Sequence, residues 1–257
     1  MDLHLAATLV TPQLDFPGTA ETVLMVLRWI HFVAGILWLG LLYFFVLVNV
    51  PFLQELDVQQ RGVVIPRLMP RALWWFRWSS VVTVLAGVAY WNHIVASEAR
   101  AALAVGEPAS AGRVIGSFFL IWTIAFALEM GMLMSPVEVL RKGAVLGVIM
   151  AIVMIAAAYI FLSVNQKGWE SNRVLAIGIG GGLGWFMMLN VWGIVWRMQK
   201  RIIRWTEESA TKGKAMPPEA AKMARLSLLC ARVNFWLSFP MLFFMGAASH
   251  YAIFATR

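Results

Sequence analysis

Six apolar stretches alternate with polar and charged segments along the 257-residue chain. They run roughly over residues 23–50, 73–95, 114–134, 144–163, 174–196 and 233–254. A helix needs about 20 mostly apolar residues to cross a bilayer. The pattern therefore predicts an all-α integral membrane protein, a bundle of six transmembrane helices. Glu129 interrupts the third stretch, whereas the fourth holds no strongly polar side chain and reads as lipid-facing. Two connections are long. Residues 51–70 hold acids, arginines and the prolines Pro66 and Pro70, and residues 197–225 hold Lys212-Gly213-Lys214 and Pro217-Pro218. Both read as solvated loops, the second with short helices. No period of 20 to 50 residues stands out, so there is no repeat array. The expected organisation is a short segment, 1–22, followed by one membrane domain, 23–257.

Composition agrees with this pattern and narrows it. The chain is 61% hydrophobic and 13% charged, with a mean hydropathy of +0.75, whereas soluble domains carry about 25% charged residues. Asp2, Asp15 and Glu21 precede the first apolar run without a lysine or arginine. The start therefore does not read as a signal peptide, which has a basic first region. The net charge of +8 fits basic loops facing the cytoplasm rather than nucleic-acid binding. Loops one, three and five share Arg61, Arg67, Arg71, Arg77, Arg141, Lys142 and the cluster from Arg197 to Arg232. The opposite side has Arg28, Arg100, Arg113, Lys167, Arg173 and Arg257. By the positive-inside rule the first side is cytoplasmic and both termini are periplasmic. Trp29, Trp91 and Trp169 would form the outer aromatic belt, and Trp74, Trp75, Trp78, Trp196 and Trp205 the inner one.

This orientation gives the histidines a depth. His31 lies about 12 Å inside the outer boundary at 1.5 Å per residue. His93 ends the second span and His250 closes the sixth, so all three fall in the outer half. A polar group at depth is costly without a partner. Gly35 and Trp38 share the His31 face at i+4 and i+7, and Gly246 precedes His250 by four residues. Small residues admit a flat ligand or a neighbouring helix. His31 and His250 are candidate axial ligands of a b-type haem, with His93 as a further candidate and Arg28 placed to pair with a propionate. Copper and zinc are the alternatives, held by His31 and His250, with His93 as a third ligand for zinc if the helices converge. The plain alternative is an imidazole bonded to a nearby carbonyl, with glycines that serve packing, and no cofactor at all.

Other polar features are simpler. Glu129 would pair with Arg77 or Arg232, a structural role, and Asn190 and Asn234 would bridge helices. Gly178–Trp185 reads GIGGGLGW. It fails the dinucleotide fingerprint in spacing and in context, and its Gly178/Gly182 and Gly180/Gly184 pairs are helix-packing motifs. Cys230 is the single cysteine, which excludes an internal disulfide, a Cys-x-x-Cys zinc site and a Cys-x-x-Cys-His haem attachment.

The strings HFVAGILWLG, PRALWWFRW, NVWGIVWRMQK and NFWLSFPMLFFMGAASHY together resemble the urate oxidase N-terminal family. That family forms the membrane domain of a bacterial urate hydroxylase that passes electrons to a fused c-type cytochrome. The resembling positions are His31, Gly35, Trp38 and Gly40; Arg71, Trp74, Trp75 and Arg77; Asn190, Trp196 and Gln199; and Asn234, Pro240, His250 and Tyr251. Arg197 stands where the family has proline, and no Cys-x-x-Cys-His follows the last span. The His-x6-Trp-x-Gly opening is also similar to the membrane protoporphyrinogen oxidase and copper-resistance D families.

The resemblance implies a multi-pass protein of the bacterial inner membrane that oxidises urate or a related purine. Arg28 and Tyr251 would bind the anionic, planar ring, and a separate c-type cytochrome would take the electrons. The alternative is a non-catalytic subunit of a larger respiratory or photosynthetic complex. A transporter is disfavoured, because neither inverted repeats nor paired broken helices are evident.

Overall fold

The computed structural model describes residues 18–254. Six helices long and apolar enough to cross a membrane make up the described chain: α1 (Thr19–Glu55), α2 (Val58–Ala104), α3 (Ala111–Met134), α4 (Gly143–Asn165), α5 (Asn172–Lys212) and α6 (Glu219–Ala247). The six expected spans are all present, and the fold is all-α. Residues 1–17 of the expected N-terminal segment lie outside the described residues, and Thr19–Thr22 already belong to α1.

The two long connections differ from expectation. Residues 51–70 are helical except at Leu56 and Asp57, and α5 continues to Lys212 before a short turn leads into α6. Local chemistry accounts for both. The Asp57 carboxylate accepts from the Gln60 backbone N–H at 2.8 Å, while the Gln60 side chain accepts from the Asp57 N–H at 2.9 Å. This reciprocal capping box starts α2. Pro66 and Pro70 lie within α2, where each removes a backbone donor. With 47 residues, α2 is about 70 Å long, more than twice the ~30 Å hydrocarbon core. Part of α2 must therefore extend past the membrane, and both prolines lie in its charged first turns rather than in its apolar stretch. Gly213, at φ +65°, closes α5 in the left-handed conformation that glycine adopts without penalty. The bundle therefore has a basic end, where α1, α2, α5 and α6 turn around one another. Its opposite end gathers the start of α1 and the finish of α6.

The core forms around α5. Gly178, Gly180 and Gly182 face the neighbouring helices, and a methyl group at 182 would lie 1.8 Å from Trp122 Nε1 of α3. A methyl at 178 would meet the Phe161 ring of α4 at 2.3 Å, and one at 180 would meet the Met241 carbonyl of α6 at 3.1 Å. The glycine run is a packing surface, as its spacing predicts, onto which three helices fit. Trp38, Trp91, Trp122, Phe118, Phe161 and Phe186 fill the space between helices. Trp91 is thus a core residue rather than part of a belt, and its Nε1 donates to the Val174 carbonyl at 3.1 Å. Trp29, Trp74, Trp75 and Trp78 are exposed as the belt requires. The outer face of α4 presents Val148, Ile152, Ile155 and Ile160, which matches its expected contact with lipid.

Candidate functional site

His31 points into the bundle from α1 and rests on α2. Its Nδ1 lies 2.7 Å from the Thr83 carbonyl, which can only accept, so Nδ1 carries the proton. The ring lies over Gly87, where a Cβ would come within 2.6 Å of Nδ1. Gly87 therefore provides the space the imidazole occupies. Sequence reasoning passed over it, although a glycine inside an apolar span was the available signal. A Cβ at Gly35 would meet the Thr83 methyl at 3.5 Å, an ordinary helix-packing contact. Trp38 is 1% exposed, and its Nε1 has no hydrogen-bond partner.

The other candidates are more exposed than His31. His93 and His250 are exposed. His250 is beyond the end of α6 at Ala247, in a turn where its N–H bonds the Ala247 carbonyl at 3.1 Å. Gly246 and His250 do not share a helical face, because the helix ends between them. A Cβ at Gly246 would meet nothing within 4 Å. Tyr251 is 71% exposed. Arg28 is exposed, and its guanidinium sits 5.7 Å from the Phe32 ring centre. Among the described residues, no group of three or more His, Cys, Asp and Glu side chains is placed to hold a metal ion.

The turn carrying His250 and Tyr251 is nevertheless well anchored. Asn172, at the start of α5, donates to the Ala248 and Tyr251 carbonyls at 3.1 and 2.8 Å. Its Oδ1 accepts the Ile253 and Phe254 N–H groups at 2.8 and 2.9 Å. Nearby, Arg113 pairs with Glu170 at 2.7 Å, Glu98 accepts both the Ser171 N–H and hydroxyl, and Arg173 bonds the Tyr90 hydroxyl.

The expected partners of Glu129 are engaged elsewhere or unpaired with it. Arg77 lies 4.0 Å from the Trp196 ring centre and 5.5 Å from that of Trp192. Its backbone carbonyl accepts from Trp192 Nε1 at 3.1 Å. The described ion pairs do not include Glu129 with Arg77 or Arg232. The expected asparagine bridge does form: Asn190 Nδ2 donates to Asn234 Oδ1 at 3.0 Å, and Asn234 Nδ2 to the Met187 carbonyl at 3.0 Å.

The family model described as urate oxidase N-terminal matches residues 56–257. The match takes in α2 to α6, with Arg71, Trp74, Asn190, Asn234 and His250, and begins after α1, so His31 lies outside it. No curated protein and no solved structure matches the chain.

Proposed function

The chain belongs to the urate oxidase N-terminal family, and on that premise we propose that it is the membrane part of an oxidoreductase. The reading is a purine oxidation, with urate as the first candidate substrate, coupled to a c-type cytochrome in a bacterial inner membrane. Both termini would face the periplasm, as the distribution of lysine and arginine favours.

One observation supports a bound redox group above the others. With Nδ1–H committed to the Thr83 carbonyl at 2.7 Å, His31 keeps Nε2 as its free lone pair. Ligating histidines have this arrangement, because the second nitrogen's hydrogen bond fixes the tautomer and the ring orientation. His31 could supply one ligand to a haem b, or to copper or zinc. His250, on the turn tied down by Asn172, is the proposed second ligand. Such a group, when bound, supplies one-electron transfer. Arg28 and Tyr251 would receive the anionic ring from the same end, through charge and stacking.

The test is the visible spectrum and pyridine haemochrome of the purified protein, with metal analysis. A bound b-haem or transition metal is expected, lost in His31→Ala and His250→Ala and kept in His93→Ala. Preparations without either group, or loss only in His93→Ala, overturn the ligand assignment.

The second reading, a non-catalytic subunit of a larger membrane complex, is favoured by the exposure of His93, His250 and Tyr251. Stoichiometric co-purification with a complex in mild detergent supports it. Urate-dependent reduction of cytochrome c by the isolated chain rules it out.

A further inference from the structure

Glu129 is fully buried on α3, and neither carboxyl oxygen makes a hydrogen bond of good geometry, the Asn190 amide being the donor that faces it. Beside it are the Asn190 amide of α5 and, on α6, Cys230. Asn190 Oδ1 is also without a partner, while its Nδ2 is held by Asn234. Asn234 in turn lines a cavity of about 300 Å³ between α1, α2, α5 and α6. Asn49, Gln54, Arg61, Gln199 and Ser227 also line this cavity. The Asn49 side chain is almost fully buried, and its Oδ1 is a further unpartnered acceptor. A polar row therefore runs from the basic end, at Arg61 and Gln54, past Asn49, Ser227 and Asn234 to Asn190 and Glu129.

Backbone geometry marks the same row. α1 becomes π-helical over Phe44–Asn49, ending on Asn49, and α5 over Val191–Val195, directly after Asn190. Single π turns inside α-helices are concentrated at functional sites. The volume has room for about ten water molecules at ~30 Å³ each, and buried waters settle where two to four polar groups converge. An unpaired carboxylate in such a core is costly, and a proton on one oxygen removes that cost. An ionisable residue within a membrane span is a candidate for proton relay.

We propose that Glu129 is a proton-carrying site, loaded and unloaded from the basic end through the Asn49–Ser227–Asn234 cavity. The step is the transfer of a proton from hydronium to a Glu129 carboxylate oxygen, releasing water, and its reverse. No electron moves, so the site stands independently of any bound redox group. The surroundings supply no competing ion pair. On α4 the ionisable side chain is the exposed Tyr159, Arg77 of α2 lies over tryptophan rings, and α5 places Arg173 and its Arg197–Lys212 charges toward its two ends. Cys230 of α6 is a titratable group beside the carboxyl, while Arg232 of α6 and Glu138 and Lys142 of the α3–α4 connection are exposed and Arg141 is half-buried.

Infrared spectroscopy of the purified chain in membranes, transferred from light to heavy water, tests the proposal. The expected result is the carbonyl band of a protonated carboxylic acid that shifts on exchange, disappears in Glu129→Gln and moves in Glu129→Asp. Ala224 lines the cavity and is exposed, so Ala224→Trp obstructs the entrance without disturbing the core. It should slow the band's exchange by at least about tenfold, an added barrier of about 1.4 kcal/mol. Ala231→Phe, deeper in the same cavity, should act in the same direction. A wild-type spectrum without the band, a band unchanged in Glu129→Gln, or exchange unaffected by both cavity variants would overturn the proposal.

Discussion

Two glutamates in this bundle are almost wholly inaccessible, Glu170 at 1% and Glu129 at 0% exposure, yet their surroundings differ. Glu170 receives the Arg113 guanidinium at 2.7 Å on one oxygen and the Lys167 N–H at 2.9 Å on the other. It lies where the α4–α5 connection meets the start of α3, among side chains that pin turns to helix ends. Glu129 lies inside a span, in none of the described ion pairs and with only the Asn190 amide facing it, short of a hydrogen bond of good geometry. A buried charge in a finished structural site is paired and hydrogen-bonded. Polar groups left unsatisfied in a packed core demand a different explanation. The comparison separates the half of the molecule built for rigidity from the half in which an ionisable group, two π turns and a cavity converge. The sequence directs attention to the histidines of the first half and reads Glu129 of the second as a member of an ion pair, which is not among the described ion pairs.

The largest effect should come from removing the paired glutamate. Glu170→Ala leaves the Arg113 guanidinium and the Lys167 N–H without their acceptor. Breaking a buried pair costs about 3–5 kcal/mol. The Arg113 side chain is 33% exposed, so a loss of about 2–3 kcal/mol is expected after discounting for solvent. Thermal unfolding in detergent, followed by tryptophan fluorescence, measures it. A change below about 1 kcal/mol would place this pair with ordinary surface bridges and weaken the contrast.

A smaller effect with a more specific readout is expected at Gly87. A Cβ there would lie 2.6 Å from His31 Nδ1, so Gly87→Ala must displace the imidazole. Overpacking of this kind costs about 1–3 kcal/mol. The bond to the Thr83 carbonyl should be lost with it, and any bound haem or metal should be released. Unchanged cofactor content and unfolding temperature would show that His31 moves aside freely and is not held in one tautomer.

What could be read from the sequence followed from strong periodic signals. Six apolar runs predicted six spans because hydrophobic length is dictated by the bilayer. The Gly178–Gly184 run was legible as packing because its four-residue spacing allows only close helix approach in that setting. The ends of the helices were less legible. Beyond the membrane α1, α2 and α5 carry charged residues that look like loops, and the helices persist there through caps such as Asp57 and the left-handed Gly213. The apolar pattern continues to Phe254 and predicts a helix through His250, whereas the chain turns after Ala247. The reach from Glu129 to Asn190, Asn234 and Asn49 involves four separate spans. No spacing within one span encodes which of their faces meet, or that Arg77 would choose Trp196 over the carboxyl.

The smallest expected change is also the one that sharpens the comparison most. Glu129→Gln keeps the shape of the side chain and replaces one unpartnered oxygen with an amide donor. Asn190 lies beside it and has an unpartnered Oδ1, the acceptor that a turn of its amide would offer to that donor. A single new hydrogen bond contributes about 0.5–1.5 kcal/mol, so the variant should unfold at a slightly higher temperature than the parent. The opposite sign is expected for Glu170→Gln, which discards the charge that Arg113 faces. If Glu129→Gln instead destabilised the protein as much as Glu170→Ala does, the carboxyl would have a partner in the folded state. The division between a finished structural site and a working one would then disappear.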